Sequence, residues 1–271
     1  MVSSLPTYPE RIVCLTEETT ETLYLLGEGH RVVGISGYTL RPPEARSKPK
    51  VSSFISARFE KIEALEPDLI LTFSDLQAGI ASELVKRGLP VFAFNQRSIT
   101  EILQMIRMLA GMVGCEPKGQ VLVAELEHGL EQIRISAGRF AKRPRVFFEE
   151  WPDPLISGIQ WVEELVEVAG GDPIFPELRG KRLAKDRIVE SDEVRRREPD
   201  VILVSWCGKK MKKSTIVSRS GWHDLPAVAR DCIYDIPSTY ILQPGPAALT
   251  EGVRLVHEHL ARGCILNGID G

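Results

Sequence analysis

Glu66-Pro67-Asp68-Leu69-Ile70-Leu71 returns 132 positions later as Glu198-Pro199-Asp200-Val201-Ile202-Leu203. In each copy a helical pattern stops at a proline, which disfavours the α conformation in the residue before it. A short apolar run follows, of the kind buried in a parallel sheet. The same offset places Glu60 on Asp192 and Ile62 on Val194, so the short helices ahead of the two strands align as well. The chain reads as one α/β arrangement used twice.

Between the copies lies a helical stretch, residues 117–142. Its apolar residues Leu122, Leu126, Leu130, Ile133, Ala137 and Phe140 step by three and four, the period of one buried stripe. Pro117 suits a first helical turn, and Pro144 ends the pattern at Arg143. A helix of about 26 residues is about 39 Å long at about 1.5 Å per residue, enough to join two lobes. The expected organisation is an N-terminal α/β lobe over 1–116, a connecting helix over 117–143 and a C-terminal α/β lobe over 144–271.

Strand-like runs at Ile12-Val13-Cys14-Leu15, Val32-Val33-Gly34-Ile35, Leu69-Ile70-Leu71-Thr72-Phe73 and Val91-Phe92-Ala93-Phe94 alternate with helical stretches. The pattern resumes after the helix with Arg145-Val146-Phe147-Phe148-Glu149, Val201-Ile202-Leu203-Val204 and Cys232-Ile233-Tyr234-Asp235-Ile236. Alternation of this kind argues for α/β lobes with mainly parallel central sheets. Residues 36–58 read as a long loop, a length often associated with function. Thr16 or Thr19 is the expected N-cap of the first helix, with the acidic residues behind it complementing the helix dipole.

The chain has 271 residues and a net charge of −3, ordinary for a globular protein with a real core. Basic charge is concentrated on connections. Segments 41–58, 177–187 and 209–213 together hold fourteen Lys/Arg against three Asp/Glu. They read either as solvated loops or as a positive rim for an anionic ligand. They lack interleaved aromatics and a nucleic-acid motif, so no nucleic-acid partner is inferred. Cys14, Cys115, Cys207, Cys232 and Cys264 include no close pair, which argues against a disulfide framework or a cysteine-based zinc site. His257 and His259 lie two apart on a helix, on different faces, so no shared metal is expected. No apolar run reaches the roughly 18 residues of a membrane span. Met1-Val2-Ser3-Ser4-Leu5-Pro6 shows no export signal, so the sequence as written reads as cytoplasmic. A periplasmic or extracellular location follows if a leader was removed.

Several of these segments together resemble the substrate-binding proteins of metal-chelate ABC importers, which bind cobalamin, ferric siderophores or haem. The carrying residues are 11–15, Val33-Gly34-Ile35-Ser36-Gly37-Tyr38 with Pro42-Pro43, Val51-Ser52-Ser53-Phe54, Phe59-Glu60-Lys61-Ile62 and Pro67-Asp68-Leu69-Ile70. The likeness is greatest to the cobalamin-binding branch. It implies a class III periplasmic-binding-protein-like fold and a monomer that binds a small molecule between its lobes. No catalysis, resident metal or required cofactor is implied. Tyr38 matches a tyrosine that lines the corrin site. Phe54 stands where a tryptophan faces the corrin, and Phe73 where another aromatic sits at a strand end. Glu60 and Asp192 match carboxylates that dock on an ABC permease. The family's second-lobe tryptophan falls near Asp186 here. Trp151 and Trp206, each just beyond a strand, are the alternative aromatic face.

Two other readings stand beside a corrinoid. One is an anionic ferric siderophore or haem, favoured by the basic loops. The other is a cytosolic enzyme or sensor on the same fold that uses Glu149, Cys207 and Lys209. In that reading a thiol beside lysines gains nucleophilicity, and a strand-end carboxylate faces Lys209. Only one of the adjacent pair Glu149 and Glu150 is expected to point inward, because side chains alternate along a strand.

Overall fold

The structure is a computed structural model and describes residues 8–266. The chain forms two compact units, residues 1–96 with 100–125, and 97–99 with 126–271.

The first unit is built on β1 (Ile12–Cys14), β2 (Val32–Ser36), β3 (Lys50–Ser52), β4 (Leu69–Phe73) and β5 (Val91–Phe94). They pair in the order β3-β2-β1-β4-β5, every pair parallel. The connections carry α1 (Glu17–Leu25), α2 (Phe59–Glu63) and α3 (Ala78–Lys86), and α4 (Ile99–Met112) follows β5. Val13, Leu15 and Ile70 meet Ile62 of α2 and Ile80 and Leu84 of α3 in one buried cluster. The alternation of Val13 and Leu15 is the two-residue period of a strand with one face on that layer. Residues 36–58 hold more order than a loop. A 3₁₀ turn at Pro43–Ser47 leads into the edge strand β3, which the sequence hides because only Val51 of its three residues is buried.

The helix α5 (Glu116–Ala137) crosses the boundary between the units, which falls after Glu125. It begins one residue before the expected start and stops five residues short of Lys142. Gly138, Arg139 and Phe140 make tightening backbone bonds back to Arg134, Ser136 and Ala137. Phe140 completes the apolar pattern from outside the helix. Its ring packs on Gly170 and stacks on His257 at a centroid distance of 5.3 Å. The imidazole of His257 also bridges the Ala169 carbonyl and the Ser136 hydroxyl, both at 2.9 Å.

The second unit contains β6 (Arg145–Pro152), β7 (Leu155–Ser157), β8 (Asp172–Pro173), β9 (Val201–Val204) and β10 (Ile233–Asp235). Its sheet runs β10-β9-β6-β7, with β8 also on β6. All pairs are parallel except the hairpin β6–β7, which replaces the loop expected after Glu149. The remaining helices are α6 (Gln160–Val168), α7 (Ser191–Arg196), α8 (Lys213–Val217), α9 (Pro226–Ala229), α10 (Ser238–Ile241) and α11 (Val253–Leu266). The sequence reading missed α8, α9 and α10, which are too short to show a helical period. A π-helical turn, Ala248–Gly252, precedes α11; a Cβ at Gly252 would run into the Tyr240 carbonyl oxygen.

The repeated Glu-Pro-Asp has the same physical role in both units. Glu66 and Glu198 adopt left-handed backbone, φ 46° and 40°, the region open to a residue whose following proline disfavours αR. That turn closes α2 and α7. The aspartate then clamps the start of the neighbouring strand. Asp68 accepts from the Glu10 and Arg11 backbone N–H groups at 2.7 and 2.8 Å, and its own N–H donates to the Arg11 carbonyl. Asp200 accepts from the Arg145 N–H at 2.9 Å and donates its own N–H to the Arg145 carbonyl. Each carboxylate fixes the register of the central pair, β1–β4 or β6–β9. Asp68→Ala is expected to cost about 1–2 kcal/mol from the lost charge-assisted bonds. Urea denaturation should show this as a lower midpoint with an unchanged slope, and Asp68→Asn should lose less.

Candidate functional site

Parallel strands all end on the same edge, where open α/β sheets place ligands. In the first unit that edge is unusually apolar. Tyr38 and Leu40 follow β2, Ile55 follows β3 and Leu76 follows β4, and these side chains are 52, 49, 73 and 52% exposed. Phe54, also after β3, is half-buried. Phe73 ends β4 and is only 3% exposed, because β4 lies inside the sheet between β1 and β5.

Gln77, fully buried, organises this edge. Its amide oxygen accepts from the Phe73 N–H at 3.0 Å. Its amide nitrogen donates to the Leu15 and Phe54 carbonyls at 3.2 and 3.0 Å. One side chain therefore ties together the ends of β1 and β4 and the turn that carries Phe54. Nothing in the sequence marked it; a glutamine four residues past an apolar strand has no distinctive local pattern.

The first turn of α1 differs from its expected form. Thr16 sits at the N-cap, yet its side chain makes no capping bond; the hydroxyl donates to Glu18 Oε1 at 2.6 Å. Glu17 and Glu18 are both buried. Burial pushes their carboxyls up, to about 7 and about 8, against the opposing hydrogen bonds. Glu18 is therefore largely a neutral acid near pH 7, not the dipole-complementing charge that its position suggested.

In the second unit Glu149 and Glu150 are both held, and a β-bulge is the reason. Glu149 pairs with Ser157 and Trp151 with Ile156, so Glu150 is the extra residue on β6 and the strict alternation of side chains is broken. Glu149, fully buried, takes Arg219 in a two-pronged pair at 2.5 and 2.8 Å and accepts from the Trp206 indole N–H at 3.1 Å. Glu150 takes Arg187 in a second such pair, at 2.7 and 3.1 Å. Arg187 also donates to the Ser157 carbonyl across the hairpin. The planar guanidinium suits both carboxylates.

These pairs correct two expectations. Glu149 is committed to Arg219, and among the described residues it makes no ion pair with Lys209, so the expected facing of that carboxylate and that lysine is not found. Trp206 is 3% exposed and belongs to the core with Phe147, Val204 and Trp222, so it offers no open aromatic wall. Trp151 is half-buried, and its indole N–H donates to the Asp153 carbonyl at 3.0 Å. Lys209 lies over both indoles, 5.6 Å from the Trp151 centroid and 5.4 Å from that of Trp206. Cys207 is exposed.

Glu60 and Asp192 occupy the second positions of α2 and α7, and both are exposed. Each has one arginine neighbour: Arg87 lies 3.7 Å from Glu60, and Arg195 lies 3.0 Å from Asp192. Exposed pairs of this kind contribute little, so neither carboxylate is locked.

The strand-end edge of the first unit, with its exposed aromatic and apolar side chains, is the kind of surface that a binding partner covers. The chain belongs to the periplasmic binding protein family, whose pattern it matches over residues 12–240. It is 28% identical over 266 residues to the uncharacterized ABC transporter substrate-binding lipoprotein YvrC of Bacillus subtilis, covering 93% of this chain and 80% of that one. It is 29% identical over 215 residues to a vitamin B12-binding protein of Yersinia pestis, covering 76 and 74%. The fold is shared with the periplasmic vitamin B12 binding protein BtuF of Vibrio cholerae, with a TM-score of 0.76, 24% identity and coverage of 95 and 99%. It is shared too with a possible iron-binding protein of Staphylococcus epidermidis, with a TM-score of 0.81, 22% identity and coverage of 94 and 99%. The family is one of substrate-binding proteins rather than enzymes. No helix among the described residues is long and apolar enough to cross a membrane. The cytoplasmic location expected from the N-terminal residues has no support among these relatives, one of which is a lipoprotein and another periplasmic.

Two stability experiments follow. Arg219→Met leaves the Glu149 carboxylate buried without its guanidinium, which is expected to cost about 3–5 kcal/mol; Glu149→Leu combined with Arg219→Met should recover most of it. The second concerns pH. The folded-state pKa of Glu18 is raised, so its contribution is complete below the ordinary carboxylate pKa and is lost as pH rises through about 8. The urea midpoint should fall between pH 5 and pH 9, and the fall should be shallower in Glu18→Gln.

Proposed function

We propose that this chain is the substrate-binding component of an importer for a metal chelate, with a corrinoid as its first ligand. The observation that carries this reading is the set of exposed apolar side chains beyond the strand ends of the first unit: Tyr38, Leu40, Ile55 and Leu76. A soluble protein exposes such a patch where something covers it. A corrin is flat, largely apolar and large enough to do so. Tyr38 and Phe54 face it in this reading, with Phe73 behind them. Trp151 supplies the aromatic surface of the second unit, backed by Trp206. No resident cofactor is required. The named specificity of the vitamin B12-binding relatives supports the corrinoid, and their periplasmic or lipoprotein character supports a place outside the cytoplasmic membrane.

A second reading, an anionic ferric siderophore or haem, is favoured by the basic run Lys209, Lys210, Lys212 and Lys213, whose first member lies over Trp151. The same fold occurs in a heme-binding protein, RhuT of Roseiflexus, and in a ferric hydroxamate transport protein of Saccharomonospora viridis. The permease is the natural protein partner, docking on Glu60 and Asp192, whose equivalent positions in the repeat put one carboxylate on each unit.

Titration calorimetry with cobalamin, cobinamide, haem and a ferric hydroxamate separates these readings. Heat and a spectral change with the corrinoids alone is the expected result, and no response to either corrinoid removes them. Phe54→Ala is expected to weaken corrinoid binding by about 1–3 kcal/mol through lost aromatic burial, with the thermal midpoint little changed.

A further inference from the structure

We propose that Lys209 is the receptor for an acidic group on the ligand, so that the preferred metal chelate carries a carboxylate or phosphate. This inference rests on the metal-chelate reading but not on the choice of metal or ring.

The argument begins with the turn. Trp206-Cys207-Gly208-Lys209 folds back on itself: Gly208 has φ 68°, and the Lys209 N–H bonds the Trp206 carbonyl at 3.2 Å. A glycine with positive φ at the third position is the requirement of a type II turn. The fold-back lays Lys209 over the Trp206 ring, and the bulge on β6 brings Trp151 to the same ammonium. At 5.4 and 5.6 Å from the two centroids, the charge is within the range of cation–π attraction to both indoles.

Two rings orient an ammonium but do not neutralise it. Among the described residues no carboxylate lies within ion-pair distance of Lys209, although two acids stand on the adjoining strand. Glu149 is taken by Arg219 and Glu150 by Arg187. Of the neighbouring lysines, Lys213 is paired with Asp231. The local strand-end acids are thus committed to a buried arginine, Arg187, and a half-buried one, Arg219, and Lys209 remains as an exposed, positioned cation beside a half-buried tryptophan. A bare surface lysine samples many rotamers, whereas this one is held before any anion arrives, so less ordering is required on binding. An acidic substituent on a flat chelate lying against Trp151 reaches this ammonium without displacing a protein carboxylate.

The test uses the whole protein and matched chelates with different peripheries. Cobyrinic acid bears carboxylates where cobinamide bears amides; ferric protoporphyrin and its dimethyl ester form the second pair. Lys209→Met keeps the apolar stem on the indoles and removes the charge, and Lys209→Arg keeps the charge. The expected result is that the native protein prefers the acid form of whichever pair it binds. Lys209→Met should lose about tenfold on the acid form, the scale of one charge-assisted contact, with the neutral form unchanged. Lys209→Arg should retain most of the preference, and added salt should erode it in the native protein. Equal losses on acid and neutral forms, or no preference in the native protein, overturn the inference and leave the chelate reading standing. Binding of the porphyrin pair alone, with the acid preference intact, removes the corrinoid and supports the role of Lys209. Failure to bind either pair removes both.

Discussion

Parallel strands cannot be joined by a tight turn; each return has to pass through a crossover. That requirement governs the first unit completely. Five strands paired in parallel bring five chain reversals to one edge, and the helices to the flanks. The edge then carries the loops after β1, β2, β3, β4 and β5, whose residues are far apart in sequence. The second unit follows the same rule in every pair but one, which belongs to its first strand, β6. Its hairpin with β7 is antiparallel, and the bulge at that departure is what places Glu149, Glu150 and Trp151 together.

The Glu-Pro-Asp repeat was legible because it solves one covalent problem twice. A helix must stop, the chain must turn, and the next strand must enter in register. Proline and the left-handed glutamate do the first two, and aspartate the third, so three residue types in fixed order report a structural unit. The long amphipathic stretch was legible for a different reason, since its apolar period persists over many turns. Its end was not. Phe140 continues the period in sequence while leaving the helix in space, and a periodicity argument has no means of separating those cases.

The candidate site was less legible than the fold. Tyr38 and Phe54 were found through family resemblance, and the structure leaves the first exposed and the second half-buried. Trp206 and Phe73 look identical to them at the level of pattern, an aromatic at a strand end, yet the structure buries both. Position along a strand tells which edge a residue occupies, but not whether later chain covers it. The pairing of Glu149 with Arg219 spans 70 residues and that of Glu150 with Arg187 spans 37, and no local signal links such partners. The bulge that permits both was invisible for the same reason, since it is a property of two strands together.

Gln77 carries a consequence for how such a protein changes over time. Because one buried amide fixes backbone carbonyls at two places and a backbone N–H at a third, the scaffold of the apolar edge is held by a group that points away from solvent. The side chains at positions 38, 40, 55 and 76 lie outside that tie. They are free to be exchanged one at a time with little disturbance to the backbone beneath them. In the proposed reading, with the ligand on this edge, selection for a new cargo works on the outer layer alone, and a lineage keeps its frame while its chemistry drifts.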